Sequence, residues 1–302
     1  MTTRPLVGVI GLGPMGAALA LRLDEAGFEV LGTSRSAGTR NAAAERGIAV
    51  VEGVPALGER LRRDASGSSP VVLLSLPSGP QVREALLGEG GLLADGDEFV
   101  VIDTSTCDPG DARALAEDAA GQAVVDAPVS GGPQAARAGE LSVMTGGNES
   151  DLAAADEVLR AIAGRVTPCG GPGAGQVAKA CNQLVVTANI ATVAEALVTA
   201  SALGADPAAV REALLGGYAG SRVLESHGER MLRRDFEPGG AARTHLKDIG
   251  IIRELTDGIL DNAVFDAAAR LFQELVDSGG GELDHSAAVK AVERRSGHSL
   301  GP

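Results

Sequence analysis

Residues 5–26 read PLVGVIGLGPMGAALALRLDEA, and this stretch decides the fold. Pro5 to Ile10 form a short apolar run with β-branched side chains, as a buried strand requires. GLGPMG follows at 11–16, and Ala17 to Ala26 then have helix-forming composition. Strand, glycine turn and helix come in the order of the dinucleotide fingerprint G-x-G-x-x-G. Gly11 permits the tight turn, Gly13 lets a pyrophosphate approach the backbone, and Gly16 lets the helix pack closely on the strand. Pro14 suits the first helical turn, where its missing N–H has no intrahelical partner. The helix start offers free N–H groups and a positive dipole end to an anion. Gly11, Leu12, Gly13, Pro14, Met15 and Gly16 are therefore the expected cofactor turn.

Working outward, Phe28 to Gly32 reads as a second strand, followed by TSRSAGTR at 33–40. An NAD-selective site usually carries an acidic residue at the end of this strand, to hold the ribose 2′-hydroxyl. No Asp or Glu occurs there. Ser34, Arg35 and Ser36, with Thr39 and Arg40, instead suit a 2′-phosphate, so NADP(H) is expected over NAD(H). Further strands are expected at Val71 to Leu76, Phe99 to Ile102, Ala123 to Ala127, Leu141 to Thr145 and Arg165 to Thr167, with helical stretches between them. That alternation predicts an α/β, Rossmann-type, doubly wound and mainly parallel sheet. Ligands should bind at the carboxyl ends of its strands, where the loops carry LPSGP (76–80), DTSTCDP (103–109) and DAPVSGGP (126–133). DASGSSP (64–70) reads as a polar loop, expected to be mobile rather than functional.

From Ala174 onward strand signals stop, and the pattern predicts an all-α domain led by a long interdomain helix. Val177 to Leu203 is apolar nearly all round, without internal Gly or Pro, so it is expected as a long buried helix. Lys179 lies in its first turns, with Asn182 and Gln183 on the same face. Further helices are expected at 207–215, 221–233, 241–257, 261–278 and 284–295. The expected domains are residues 1–170, 171–296 and a frayed tail at 297–302.

Composition narrows the function. The net charge of −14 and 2 % aromatic content oppose phosphate-backbone binding and base stacking, so no nucleic-acid partner is expected. Cys107, Cys169 and Cys181 are scattered without metal or disulfide spacing, and no metal site is expected. His227, His245, His285 and His298 are dispersed along the chain and read as surface or satisfied histidines. No signal peptide precedes the first strand, and no apolar run reaches the roughly 18 residues of a membrane span. The expectation is a cytoplasmic protein with no membrane partner. Only three of the 26 basic residues are lysines, at 179, 247 and 290. Arginine holds its proton, whereas lysine is tuned by burial until it exchanges one. Lys179, opening an apolar helix, is thus the candidate for proton transfer.

Taken together, these motifs resemble the β-hydroxyacid dehydrogenase family, which includes 3-hydroxyisobutyrate dehydrogenase and tartronate semialdehyde reductase. The resemblance spans almost the whole chain in the family's motif order. GLGPMG matches the cofactor motif and DAPVSGGPQAARAGEL the substrate motif. GPGAGQVAKACNQ matches the catalytic motif, and HLKDI (245–249) the late cofactor-contact motif. The resemblance implies that Lys179 is catalytic and Asn182 assists it. Ser130, Gly131 and Gly132 hold the substrate, Lys247 sits beside the cofactor, and Leu76, Pro77 and Thr106 meet its nicotinamide side. It further implies homodimers or homotetramers formed through the helical domain. Asn182-Gln183, GGYAGSRVL (216–224) and DHSA (284–287) look most like the tartronate semialdehyde reductase branch; the hydroxyisobutyrate branch more often has Asn at the position of Gln183.

The residues permit that chemistry. Lys179 can act as general acid in carbonyl reduction and as base in the reverse direction. Backbone N–H groups at Gly131 and Gly132, with the Ser130 hydroxyl, can form an anion nest for a substrate carboxylate. Succinic semialdehyde or glyoxylate reduction is the nearest alternative. Imine reductases share the architecture but usually lack the lysine, and non-catalytic dimerisation modules of this fold typically lose it too. Cys107 reads as an incidental buried thiol. His245 either approaches the cofactor or has a cap or surface role.

Overall fold

The computed structural model describes residues 6–64, 69–94, 96, 98–119 and 121–301. It contains two compact units that divide at Lys179/Ala180, beyond the 170/171 boundary expected from the strand pattern. Most of the expected loop at 64–70 lies outside the described residues.

The first unit is built on nine strands: β1 (Leu6–Ile10), β2 (Glu29–Thr33), β3 (Ala49–Val50), β4 (Val71–Leu74), β5 (Val100–Asp103), β6 (Ala123–Asp126), β7 (Val129–Ser130), β8 (Leu141–Gly146) and β9 (Ala163–Gly170). Seven helices intervene: α1 (Pro14–Glu25), α2 (Ala37–Glu45), α3 (Gly53–Asp64), α4 (Gly79–Leu87), α5 (Pro109–Asp118), α6 (Gly132–Ala138) and α7 (Glu149–Ile162). The order β3-β2-β1-β4-β5-β6 is wholly parallel. It is the doubly wound dinucleotide-binding order, with its switch point between β1 and β4. Antiparallel pairing of β8 with β6 and β7 extends the sheet, and β9 adds in parallel. The two-residue strands β3 and β7 escape sequence reading because they are too short to show a period.

Alternation along each strand divides the core into two layers. Val7, Val9, Leu73 and Ile102 face α1, α6 and α7. Ile10, Val72, Leu74 and Val101 face α3, α4 and α5. Both faces are covered, which is why these strands read as continuous apolar runs.

The helix α8 (Ala174–Ala202) starts in the first unit and runs into the second. It begins three residues before the expected Val177. It is long and apolar enough to cross a membrane by length and composition, contrary to the sequence expectation. Alanine, valine, leucine and isoleucine carry its hydropathy, and the interspersed Thr, Asn and Gln with Lys179 and Glu195 disguise the run. Ile190, Ala194, Leu197 and Val198 pack into the core of the helical unit. Val177, Cys181 and Val185 lie on an exposed stripe, so the helix is not buried all round within one chain.

The second unit continues with α9 (Pro207–Leu215), α10 (Arg222–Arg233), α11 (Ala242–Thr256), α12 (Ala263–Leu275) and α13 (Val289–Ser296), with a 3₁₀ turn at His285–Ala288. The expected frayed tail is instead fixed over 297–301: Leu300 N donates to Glu293 Oε1 at 2.9 Å and the Leu300 side chain packs on the core. Pro302 lies outside the described residues.

Three of the four histidines converge in this unit, although the sequence disperses them. His227 Nε2 lies 2.7 Å from His285 Nε2, and the His285 ring is 5.1 Å from that of His245. His245 is buried, with Nε2 2.9 Å from Thr187 Oγ1, so it is neither a cap nor a surface group. Asp284 binds the cluster to the chain by accepting from Gly239 N, Gly240 N, Ser286 N and Ser286 Oγ, and it pairs with Arg230. With those oxygens engaged and a guanidinium beside them, Asp284 is a poor metal ligand. Burial, then the neighbouring His245 and His227, lowers the His285 pKa to about 3. The unfolded imidazole binds a proton near pH 6.5 while the folded one refuses it, so stability falls as pH drops through that range. Acid should therefore destabilise this unit by about 2 kcal/mol at pH 5. Urea unfolding between pH 5 and 8 should show this slope, and His285→Asn should flatten it.

Candidate active site

Each glycine of the turn after β1 has a separate physical reason. Gly11 has φ +97°, and a Cβ there would lie 2.2 Å from Ser75 O. A Cβ on Gly16 would lie 1.8 Å from Gly11 O, so α1 can approach β1 only without one. A Cβ on Gly13 would meet nothing within 4 Å. Gly13 is therefore not required by the protein's own packing, and it opens outward at the N-terminus of α1, as a pyrophosphate site demands. The Leu12 side chain turns inward, where its Cδ2 would be 2.8 Å from a Cβ on Gly32, and Met15 packs partly on the core. Leu12 and Met15 thus shape the turn from below, and the residues present fit a dinucleotide.

After β2, the structure separates the two arginines. Arg40 turns back on its own loop: its guanidinium donates to Ser34 O at 2.7 Å and Arg35 O at 3.0 Å, and pairs with Glu52 at 2.9 Å. Ser36 caps α2, accepting from Thr39 N at 3.3 Å. Arg35 is exposed. Arg40 is therefore a brace for the loop, and Arg35 is the guanidinium left facing solvent.

The loops after β4 and β5 are joined side by side. Leu76 N donates to Ser105 Oγ at 2.9 Å, and Thr104 Oγ1 to Leu74 O at 2.6 Å. Leu76 Cδ2 lies 3.0 Å from the Cβ position of Gly11, which sets this loop against the glycine turn. Asp103, fully buried at the end of β5, accepts from Ser105 N at 2.9 Å. Burial raises its pKa to about 6, opposed by the Ser105 bonds. Thr106 is half-buried and Pro77 exposed on these loops. Cys107 is buried, and its Sγ donates to Asp103 Oδ2 at 3.8 Å.

The first turns of α8 close the site from below. Asp126, ending β6, accepts from Gly173 N at 2.8 Å and Gln176 N at 3.0 Å. Gln176 donates to Ser105 O at 2.8 Å and accepts from Cys107 N at 3.0 Å. Lys179 is buried, and its Nζ donates to Val129 O at 2.9 Å. That bond brings the lysine to the strand that ends in Ser130, ahead of Gly131 and Gly132. Both glycines have positive φ, +135° and +74°, so the backbone turns there as no other residue easily would. Asp103, Asp126 and Gln176 were not identified from sequence. Their signal was an Asp closing each of two successive apolar runs, just ahead of a polar loop.

In the helical unit, Asn182 Nδ2 donates to Gln183 Oε1 at 2.9 Å, and Gln183 Nε2 donates to Asp248 Oδ2 at 2.6 Å. Lys247 pairs with Asp248 at 3.1 Å. The two expected residues Asn182 and Lys247 are thus joined through a pair that sequence reading left without a role.

Comparison with known proteins gives the family and the fold. Residues 6–171 match the NAD-binding domain of 6-phosphogluconate dehydrogenase, and residues 173–292 the NAD-binding domain of NADP-dependent 3-hydroxyisobutyrate dehydrogenase. The chain is 37 % identical to 2-hydroxy-3-oxopropionate reductase of Escherichia coli, over 97 % of this chain and 99 % of that one. Among solved structures it is similar to 3-hydroxyisobutyrate dehydrogenase of Salmonella typhimurium, with TM-score 0.80 and 26 % identity over 95 % of this chain and 99 % of that one. The Mycobacterium tuberculosis 3-hydroxyisobutyrate dehydrogenase solved with L-serine gives TM-score 0.77 at 29 % identity, covering 96 % and 99 %.

The glycine turn yields a contrast between two equally small changes. Gly16→Ala should lose about 1–3 kcal/mol of stability by overpacking. Gly13→Ala should melt like the parent yet bind dinucleotide more weakly. Thermal melts and cofactor titrations of the two variants measure both effects.

Proposed function

Because this chain belongs to the 3-hydroxyisobutyrate dehydrogenase-like family of NAD(P)-dependent enzymes acting on hydroxyacids, we propose that it is an NADP(H)-dependent reductase of a small semialdehyde or oxo acid, of the tartronate semialdehyde type, with Lys179 as general acid/base. The observation that carries this reading is the buried Lys179 ammonium, 2.9 Å from Val129 O and one residue from the Ser130–Gly132 segment. A bound nicotinamide supplies the hydride. Lys179 then donates a proton to the developing alkoxide, and takes it back in the oxidative direction. Its bond to Val129 O fixes the direction of the ammonium. The Ser130 hydroxyl and the N–H groups of Gly131 and Gly132 hold the substrate carboxylate. Asn182 orients the reacting oxygen, and Lys247 meets the cofactor.

The preference for NADP(H) rests on Arg35 and Ser36, exposed after β2 at a strand end without an acidic residue. The turn from Gly11 to Gly16 would hold the pyrophosphate, with Gly13 as its point of approach and Gly11, Pro14 and Gly16 shaping the turn, while Leu76, Pro77 and Thr106 would flank the nicotinamide. The exposed stripe of Val177, Cys181 and Val185 on α8 supports pairing with a second copy through the helices, as a homodimer or homotetramer.

An NADPH-oxidation screen over tartronate semialdehyde, methylmalonate semialdehyde, succinic semialdehyde and glyoxylate tests the substrate class. Lys179→Arg should fold and bind cofactor but lose roughly 10²–10⁴-fold in turnover; near-parental turnover would overturn the assignment. Arg35→Ala should weaken NADPH binding by about 10- to 100-fold, the worth of one charged hydrogen bond, and leave NADH unaffected. Arg40→Ala, which removes the loop brace, should weaken both. A kinetic preference for NADH in the parent enzyme would refute the cofactor reading.

A further inference from the structure

We propose that Asp126 is the positioning residue for Lys179, holding the lysine through the first turn of α8. The inference rests on the reading of Lys179 as the acid/base group. Its physical basis is a closed ring of chain and hydrogen bonds. Asp126 takes Gly173 N on Oδ1 and Gln176 N on Oδ2. One helical turn beyond Gln176, Lys179 Nζ returns to Val129 O, three residues after Asp126. The strand end that leads to Ser130 is therefore tied to α8 at both ends of one turn.

Three features show that this is a built contact. Gly146 and Gly175 leave room for the carboxylate: a Cβ on Gly146 would lie 2.5 Å from Asp126 Oδ1, and one on Gly175 2.7 Å from Oδ2. The carboxylate is buried at a helix N-terminus, where the dipole favours a negative charge. Burial pushes its pKa up, and the backbone N–H groups of Gly173, Gln176 and Gly175 pull it back. Moreover, Gln176, held by Asp126 through its N–H, grips Ser105 O and Cys107 N with its side chain. The same clamp therefore fixes the loop after β5 as well as the helix.

Both carboxylate oxygens are needed, because each accepts a different N–H. Asparagine offers one acceptor and would present its NH₂ to the other N–H, so Asp126→Asn opens one side of the ring with little change in volume. The turn of α8 that carries Lys179 is then loosened at its Asp126 end, while the Nζ bond to Val129 O remains at the other. A displacement of about 1 Å at a catalytic group lowers turnover by on the order of 100-fold.

The scarcity of lysine makes the test direct. Lysine labelled with ¹³C at Cε gives three resonances, from Lys179, Lys247 and Lys290, and Lys179→Arg identifies the first by its loss. In Asp126→Asn the Lys179 resonance should move while the other two stay. Turnover should fall by on the order of 10- to 100-fold, with KM for NADPH unchanged. An unmoved Lys179 resonance, or turnover within about twofold of the parent, overturns the proposal. If Asp126→Asn does not fold, Asp126→Ser decides by the same readouts, since serine caps a helix with one short acceptor. If Lys179→Arg keeps its turnover, the reading of Lys179 fails. If that variant is inactive while the Lys179 resonance ignores Asp126→Asn, only the positioning role fails.

Discussion

The rest of the first unit depends on how closely α1 approaches β1. Gly16 sits so near the carbonyl of Gly11 that a single added carbon would lie 1.8 Å from the oxygen. That approach sets the helix N-terminus directly over the strand end and leaves Gly13 facing open space. Leu76, from the neighbouring strand across the switch point, then closes against Gly11. The shape of the turn is the consequence of three missing side chains, two required by the protein's own packing and one, at Gly13, that opens on free space.

A second set of constraints is polar and buried. Buried polar groups are costly unless they are paired, and the strand ends of this unit pair nearly every one. Asp103 serves Ser105, Asp126 serves the start of α8, and Gln176 joins that helix to the loop after β5. The groups that fix this loop also fix the helix that carries Lys179. The helical unit follows the same logic with Asp248 and Asp284. Each is buried and each ties segments together: Asp248 accepts from Gln183 and forms an ion pair with Lys247, and Asp284 accepts from residues 239, 240 and 286.

Much of this was legible in the chain. The glycine turn, the parallel sheet, the switch to helices after residue 173 and the motifs around Ser130, Lys179 and Lys247 all stand in local sequence. Local signals also misled. Arg40 looked like a ligand for phosphate, yet its guanidinium is taken by two carbonyls and Glu52. The histidines looked scattered because sequence separation hides a meeting of α10, α11 and the 3₁₀ turn. The tail looked frayed because the acceptor that fixes it, Glu293, lies on the preceding helix.

What the sequence by itself determined was whatever depends on the covalent nature of single residues or on short periods. That covers where the backbone turns left-handed, which runs bury both faces, and which of the few lysines begins the long helix. Only the tertiary structure decided what those residues do with their hydrogen bonds. Partners 47 to 71 residues apart, such as Asp126 with Gly173 and Gln176 with Ser105, have no local signature. The energy of a buried polar group depends on the donor that comes to meet it, and that donor is chosen by the fold.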